Sequence, residues 1–164
     1  MPSPLGDIFR HNRWANLQLL DFCAGLSDEQ LSLQAPGTYG TVRDTLSHLA
    51  GAESRYVAAL NEVEGARFEA GPFPGIAALR ESLASSGDAL ERFAEGGLPS
   101  ELAPEVHWGK TWHIQPTHFL LQAINHATEH RSHVIGILTQ NGLTPPGLDG
   151  WAYGTGAGLI RTEE

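Results

Sequence analysis

The sequence QPTHFLLQAINHATEHRSHVIGILTQN, residues 115–141, predicts one long helix. Pro116 suits the first turn of a helix, where a missing N–H group breaks no hydrogen bond. Asn141 and Gly142 supply a stop signal, and the prolines at 145 and 146 prevent continuation. Apolar residues recur at helical spacing and mark the face that packs into a core: Leu120, Ile124, Ala127, Val134 and Leu138.

Two histidines on this helix, His126 and His130, have the spacing of a helical metal-binding pair. Residues four apart lie on the same side of a helix, about one turn from each other. Both imidazoles can therefore reach one metal ion. The alternative is a pair of partly exposed histidines without a ligand, because a chain with eight histidines sometimes produces this spacing by chance. A third ligand from another helix would favour the metal site.

Length and composition predict one domain that spans residues 1–164. Hydrophobic residues make up 41% of the chain, which is ordinary for a globular protein. No run of residues is long and apolar enough for a membrane helix, and the first residues lack the pattern of a signal peptide. We therefore expect a cytoplasmic protein that has no membrane as its partner.

Charge and cysteine content exclude two further classes of protein. The net charge of −9 argues against a nucleic-acid partner, since phosphate binding requires a surplus of lysine and arginine. The single cysteine, Cys23, excludes an internal disulfide framework and suits a reducing cytosol.

Three more amphipathic segments complete the predicted fold. Long helices are expected over residues 6–24, from Thr41 to Leu60, and over residues 75–95, with a short helix that ends near Leu33. Residues 62–74 form a crossover loop, and residues 101–114 alternate around Gly109-Lys110, which predicts either a small hairpin or an extended connection. The fold class is all-α, an irregular four-helix bundle with a long crossover connection.

Two charged residues fall inside the apolar stripes of their helices, Glu53 on the second long helix and Arg131 on the last. A carboxylate on a core face needs a partner. We therefore predict that Glu53 and Arg131 pair across the bundle. His48 lies at the edge of the stripe that carries Glu53, where small neighbours leave room beside its imidazole.

Three motifs give the chain a resemblance to a known family. They are HNRWAN at residues 11–16, RDTLSHL at residues 43–49 followed by Glu53, and NHATEHR at residues 125–131. In this order and spacing the chain resembles the DinB/YfiT-like superfamily of small metalloenzymes, and the motifs span nearly the whole chain. One departure is that Ser132 and His133 stand where many members have Gly-Gln.

The resemblance implies a three-histidine site for a divalent metal, with nickel or zinc the most common ions. Carried over by motif, the metal ligands are His48, His126 and His130. The rival ligand set replaces His126 with His133, because residues 130 and 133 also share a face of the helix. Three protein ligands leave an open position for water or substrate.

The resemblance also implies a function, because some relatives transfer low-molecular-weight thiols. In that scheme a metal-bound thiolate attacks an electrophilic small molecule, as in stress-related detoxification. Asn12, Asn125, Trp151 and Tyr153 are the candidates for orienting the substrate. Cys23 lies on an apolar background near the end of its helix, so it is not expected to be the nucleophile.

Two other functions stay open. One is metal-dependent hydrolysis, with Glu53 or Glu129 as the base. The other is a non-catalytic metal-binding stress protein. Members of the superfamily often form homodimers, and the aromatic residues Trp108 and Trp112 lead us to expect a dimer here as well.

Overall fold

The computed structural model describes residues 3–61 and 63–161, and this part of the chain is mostly α-helical, as predicted. Its four long helices are α1 (Pro4–Cys23), α3 (Val42–Leu60), α4 (Ile76–Arg92) and α5 (Pro116–Gln140). This part of the chain also contains two short helices, α2 (Asp28–Leu31) and α6 (Gly150–Gly156), and a hairpin of β1 (Glu105–His107) and β2 (Lys110–Trp112). None of the described helices is both long and apolar enough to cross a membrane.

Side-chain caps fix where the helices begin. The Ser3 hydroxyl accepts a hydrogen bond from the Gly6 N–H group, so α1 begins at Pro4, two residues earlier than predicted. A capping box joins Thr41 and Asp44 at the start of α3, as expected. Helix α4 ends at Arg92, earlier than predicted, and a π-helical turn, Phe93–Gly97, follows it.

The four long helices form the predicted bundle, which is irregular because its connections are long. Helix α1 packs against α4 and α5, and α3 packs against the same two helices. Helices α1 and α3 are therefore diagonal neighbours across the core. The crossover between α3 and α4 contains a 3₁₀ turn, Phe68–Ala70, which packs on α3.

The hairpin between α4 and α5 differs from the prediction in its turn. The strands pair antiparallel, and His107 lies opposite Lys110. The turn residues are therefore Trp108 and Gly109, not Gly109 and Lys110. Both have positive φ angles, 49° and 72°, which suits a two-residue hairpin turn.

The apolar core consists of two clusters of buried residues. One cluster includes a residue from each long helix: Leu19, Leu46, Leu83 and Ile137. The other contains Phe9, Leu60, Leu90 and Phe119. On α1, α3 and α4, buried polar residues lie between the two clusters along the chain: Asn12, Asn16, Glu53 and Ser86.

A buried hydrogen-bond network joins these polar residues to Arg131 and includes all four long helices. The Glu53 carboxylate accepts hydrogen bonds from the Asn12 and Asn16 amides at 3.3 and 3.1 Å and from the Ser86 hydroxyl at 2.6 Å. Arg131 Nη1 donates to the Asn12 and Asn16 carbonyl oxygens, at 2.7 Å each. The charges of Glu53 and Arg131 are thus connected through two amides.

The network satisfies two charges that would otherwise be costly to bury. Glu53 is only 1% exposed, and burial raises the pKa of its carboxyl. Burial lowers the pKa of Arg131 to about 10, and the Glu53 charge opposes this shift. The hydrogen bonds and the opposite charge favour the ionised form of each residue, so the pair is stable only as a unit.

Candidate metal centre

Three imidazoles converge between α3 and α5. His48 comes from α3, and His126 and His130 come from successive turns of α5, which packs against α3. One nitrogen from each ring lies within 4.8 Å of the others. The Nε2 atoms of His48 and His126 are 3.0 Å apart. The structure thus brings together all three histidines that the resemblance implied as ligands.

The three rings are held by aromatic neighbours. Tyr39, in the loop before α3, stacks on His48 with ring centroids 4.1 Å apart and meets His130 edge-on at 5.2 Å. Tyr56, two turns after His48 on α3, contacts His126 edge-on at 5.8 Å. The cluster therefore has aromatic walls on two sides.

The histidines are held in their neutral form. Burial, followed by the charges of His130 and His48, lowers the pKa of His126 to about 3. Burial, followed by the charge of His48, lowers the pKa of His130 to about 4. Burial also lowers the pKa of His48, and nearby Glu69 partly opposes the shift. Near pH 7 all three rings have lone pairs available for a metal.

These features fit a divalent ion. Nickel and zinc both accept imidazole nitrogen. Tetrahedral ligands at a zinc–nitrogen distance of ~2.0–2.1 Å lie ~3.3 Å apart, close to the observed separation of the His48 and His126 nitrogens. The Nδ1 atoms of His48 and His130 are buried without a hydrogen-bond partner in the described part of the chain. Three histidines grouped in this way could hold one metal ion.

His133 lies outside this group. Its ring centroid is 5.4 Å from that of His130, on the following turn of α5. The ring of His126 is closer to His130, at 4.2 Å, and it also approaches His48 at 4.9 Å. The geometry therefore favours His126 over His133 as the third member of the cluster.

The contacts described for the four residues that are predicted to orient a substrate are with other parts of the chain. Asn12 is 1% exposed, and its amide serves the Glu53–Arg131 network. Asn125 is exposed and donates to the Leu121 carbonyl of its own helix. Trp151 is 76% exposed.

Tyr153, the fourth of these residues, packs on α1. Its ring contacts those of His11 and Trp14, with centroids 5.4 Å away in both cases. His11 in turn contacts the Leu148 carbonyl oxygen through Nε2, at 2.8 Å. Tyr153 therefore holds the C-terminal segment on the bundle.

Sequence reasoning missed the residues that do surround the histidines. Tyr39 lies in a loop, where no periodicity marks it, and Tyr56 shares the apolar stripe of its helix with ordinary core residues. Glu69 belongs to the 3₁₀ turn that packs on α3, and it pairs with Arg55 at 2.5 Å. Gly51 makes this approach possible, because a Cβ atom there would lie 2.3 Å from a Glu69 oxygen.

Comparison with known proteins agrees with this fold. A crystal structure of a DinB-like protein from Bacillus cereus ATCC 10987 superposes with a TM-score of 0.60 over 84% of this chain and 91% of that chain. The two sequences are 20% identical, so the similarity concerns the fold. No curated protein matches this chain. The model of the DinB family matches residues 1–163, and the chain therefore belongs to the DinB family.

Proposed function

We propose that this protein is a metal-dependent thiol S-transferase that acts on electrophilic small molecules. The observation that carries the proposal is the convergence of three neutral imidazoles between α3 and α5. In the proposed site His48, His126 and His130 hold nickel or zinc. A bound divalent ion would supply Lewis acidity, which lowers the pKa of a coordinated thiol.

The thiol is proposed to come from a small cosubstrate. Cys23 is the single cysteine of the chain, it is fully buried, and burial raises the pKa of its thiol to about 12. It is therefore a poor nucleophile. Tyr39 and Tyr56, which contact the histidine rings, replace the predicted substrate-orienting residues in this proposal.

Hydrolysis is less well supported, because neither predicted base is suitable. The Glu53 carboxylate is enclosed in the network with Asn12, Asn16 and Ser86. Glu129 is exposed on α5. A passive metal-binding stress protein has the same histidine cluster, so activity measurements must distinguish it from an enzyme.

Location and assembly are part of the same proposal. A low-molecular-weight thiol is kept reduced in the cytoplasm, where we place this protein. We also propose a homodimer, because Trp108 is 88% exposed and Trp112 is 43% exposed on the hairpin.

Elemental analysis tests the metal site directly. The full chain is purified without chelator or affinity tag, beside His48→Ala, His130→Ala and the control His118→Ala, which changes an exposed histidine. About one divalent ion per wild-type chain is expected, lost in the first two variants and retained in the control. Absence of metal after nickel and zinc are offered would refute the site.

Thiol consumption then tests the reaction. We expect the metal-loaded protein to accelerate loss of a free thiol in the presence of an electrophile, and a chelator to abolish the acceleration. Turnover of an ester or amide without thiol would indicate a hydrolase. Metal binding with neither activity would indicate a passive binder.

A further inference from the structure

A cavity of about 510 Å³ lies beside the histidine cluster. Its walls come from the loop before α3, the first two turns of α3 and the crossover after it. The volume lies within the range of small-molecule pockets, ~300–1,000 Å³. The lining includes Tyr39, Arg43, Ser47, Phe68, Glu69 and Phe73.

Tyr39 is shared between the cavity and the histidines. Its side chain lines the cavity, and its ring stacks on His48 and meets His130 edge-on. Thr45 donates to the Tyr39 carbonyl oxygen at 2.5 Å, which fixes this part of the loop to α3. A molecule in the cavity would therefore contact a side chain that also contacts His48 and His130.

Arg43 supplies the cavity with a positive charge whose hydrogen bonds go to neutral groups. Its Nη2 donates to the Asp28 carbonyl oxygen at 2.6 Å and to the Ser32 hydroxyl at 2.7 Å, both neutral acceptors. The Asp28 carboxylate is 3.9 Å away on a side chain that is 95% exposed. In contrast, Arg10 and Arg80 have carboxylate oxygens at 2.8 and 2.6 Å.

The Arg43 guanidinium is also held in position. It lies over the Phe73 ring, 5.7 Å from the centroid. Its Nε is buried and has no hydrogen-bond partner among the described residues. A guanidinium that is already oriented loses less entropy when it binds an anion.

The two carboxylates of the cavity already have partners. Asp44 accepts hydrogen bonds from the Thr41 N–H group and hydroxyl, at 3.0 and 2.6 Å. Glu69 pairs with Arg55. Arg43 is the cation among the residues that line the cavity, and the pKa of the Asp44 carboxyl is lowered by the Thr41 hydrogen bonds and also by the Arg43 charge.

We propose that this cavity binds the substrate of the histidine site, and that the substrate is an organic carboxylate with an apolar body. The carboxylate pairs with Arg43, and the apolar body packs against Phe68, Phe73 and Tyr39. The role as substrate site depends on the proposed function, whereas binding of the carboxylate does not.

Binding of a matched pair of probes tests this inference. Isothermal titration calorimetry compares 3-phenylpropionate with the neutral 3-phenylpropionamide on the full chain, both metal-free and metal-loaded. We expect the acid to bind about tenfold more tightly than the amide, and Arg43→Gln to abolish this preference. Arg80→Gln is the control, because it removes the same charge from an exposed ion pair on α4.

A second variant covers the chance that Arg43→Gln disturbs the contact with α2. Phe68→Ala keeps the Phe73 ring beside the guanidinium and removes another apolar wall of the cavity, so both probes should bind several-fold more weakly while the preference for the acid remains. Equal affinity for acid and amide in the wild type would overturn the inference. The inference would also be overturned if Arg80→Gln weakened binding of the acid as much as Arg43→Gln does.

Spectroscopy separates this inference from the proposed function. Cobalt-loaded wild-type protein should change its visible absorption when 3-phenylpropionate is added, and Arg43→Gln should keep its cobalt but lose this response. Metal binding without acid preference would refute the cavity assignment alone. Acid preference without metal binding would refute the proposed function and the role of the cavity as its substrate site.

Discussion

The Nε2 atoms of His48 and His126 lie 3.0 Å apart, although the two residues belong to different helices and are 78 positions apart in the sequence. Two protonated imidazoles could not occupy these positions without strong repulsion, because like charges at this distance disfavour ionisation. In the metal-free protein one ring donates the shared hydrogen bond and the other accepts it. The cluster is therefore a place where protons and metal ions compete.

This competition predicts a pH dependence of stability in the metal-free protein. Because the pKa values of His126 and His130 are about 3 and about 4 in the folded chain, the unfolded chain takes up protons first as the pH falls below ~6.5. The free energy of unfolding should therefore decrease between about pH 6.5 and pH 5, by roughly 1–2 kcal/mol per histidine after allowance for partial exposure.

Urea unfolding at a series of pH values measures this effect. His126→Gln should make the free energy of unfolding less dependent on pH above about pH 5, where most carboxyl groups are still ionised. The exposed histidine variant His118→Gln should leave it unchanged. A wild-type slope that His126→Gln does not alter would show that the cluster is not the cause.

The bridged pair of Glu53 and Arg131 gives a second prediction. Arg131→Met would leave a buried carboxylate without its positive partner, and we expect it to lower the free energy of unfolding by about 3–5 kcal/mol. Adding Glu53→Gln removes the unpaired charge, so the double variant should lose less than the sum of the single variants. Denaturant unfolding of the four proteins measures the coupling.

An exposed ion pair is the control for this cycle. The side chains of Arg80 and Asp21 are 46% and 47% exposed, and Arg80→Met should cost less than about 1 kcal/mol. Additive effects of the Glu53 and Arg131 substitutions would mean that the network does not couple them.

Two glycines within helices should respond to alanine in opposite directions. At Gly87 on α4 a Cβ atom would lie 2.6 Å from Cγ of Arg13 on α1, whereas at Gly136 on α5 nothing lies within 4 Å. We expect Gly87→Ala to destabilise the protein by about 1–3 kcal/mol through overpacking. Gly136→Ala should stabilise it by roughly 0.5–1 kcal/mol, because alanine favours the helix.

Thermal and denaturant unfolding of both variants test this prediction. Gly87 follows Ser85 and Ser86, and the low helix propensity of these residues predicts a weak point of the helix from the sequence alone. The structure instead makes it the position where α1 and α4 approach closely. Stabilisation by Gly87→Ala would contradict that explanation.

Local signals explain which features could be predicted from the sequence. The helices follow from apolar spacing, and the start of α3 follows from Thr41 and Asp44, three residues apart. His126 and His130 could be paired because one helix fixes their separation. The proposed ligand role of His48 depended on the resemblance, since nothing local relates α3 to α5.

The residues around the histidines could not be predicted from the sequence, because their positions depend on the conformation of loops and on which side chains are buried. Tyr39 reaches His48 and His130 from a loop without periodicity. Asn12 belongs to a motif of the resemblance, but a motif does not show that its amide faces Glu53 and Arg131 inside the core. Trp151 is aromatic but lies on the surface of a short helix.

The last prediction concerns Cys23, whose burial requires that any reacting thiol come from outside the chain. With its pKa raised to about 12, Cys23 has a thiolate fraction near 10⁻⁴ at pH 8, about a thousandfold below that of an ordinary thiol. Native protein should therefore react with a thiol reagent such as dithiobis(nitrobenzoate) at least ~1,000-fold more slowly than urea-unfolded protein.

Cys23→Ala separates this property from the catalytic proposal. The variant removes a small buried side chain, so we expect a loss of about 1–2 kcal/mol in the free energy of unfolding. Its metal content and its rate of transfer from an added thiol should match those of the wild type. Rapid labelling of the native chain, or transfer that disappears with Cys23, would make Cys23 the nucleophile and remove the need for a thiol cosubstrate.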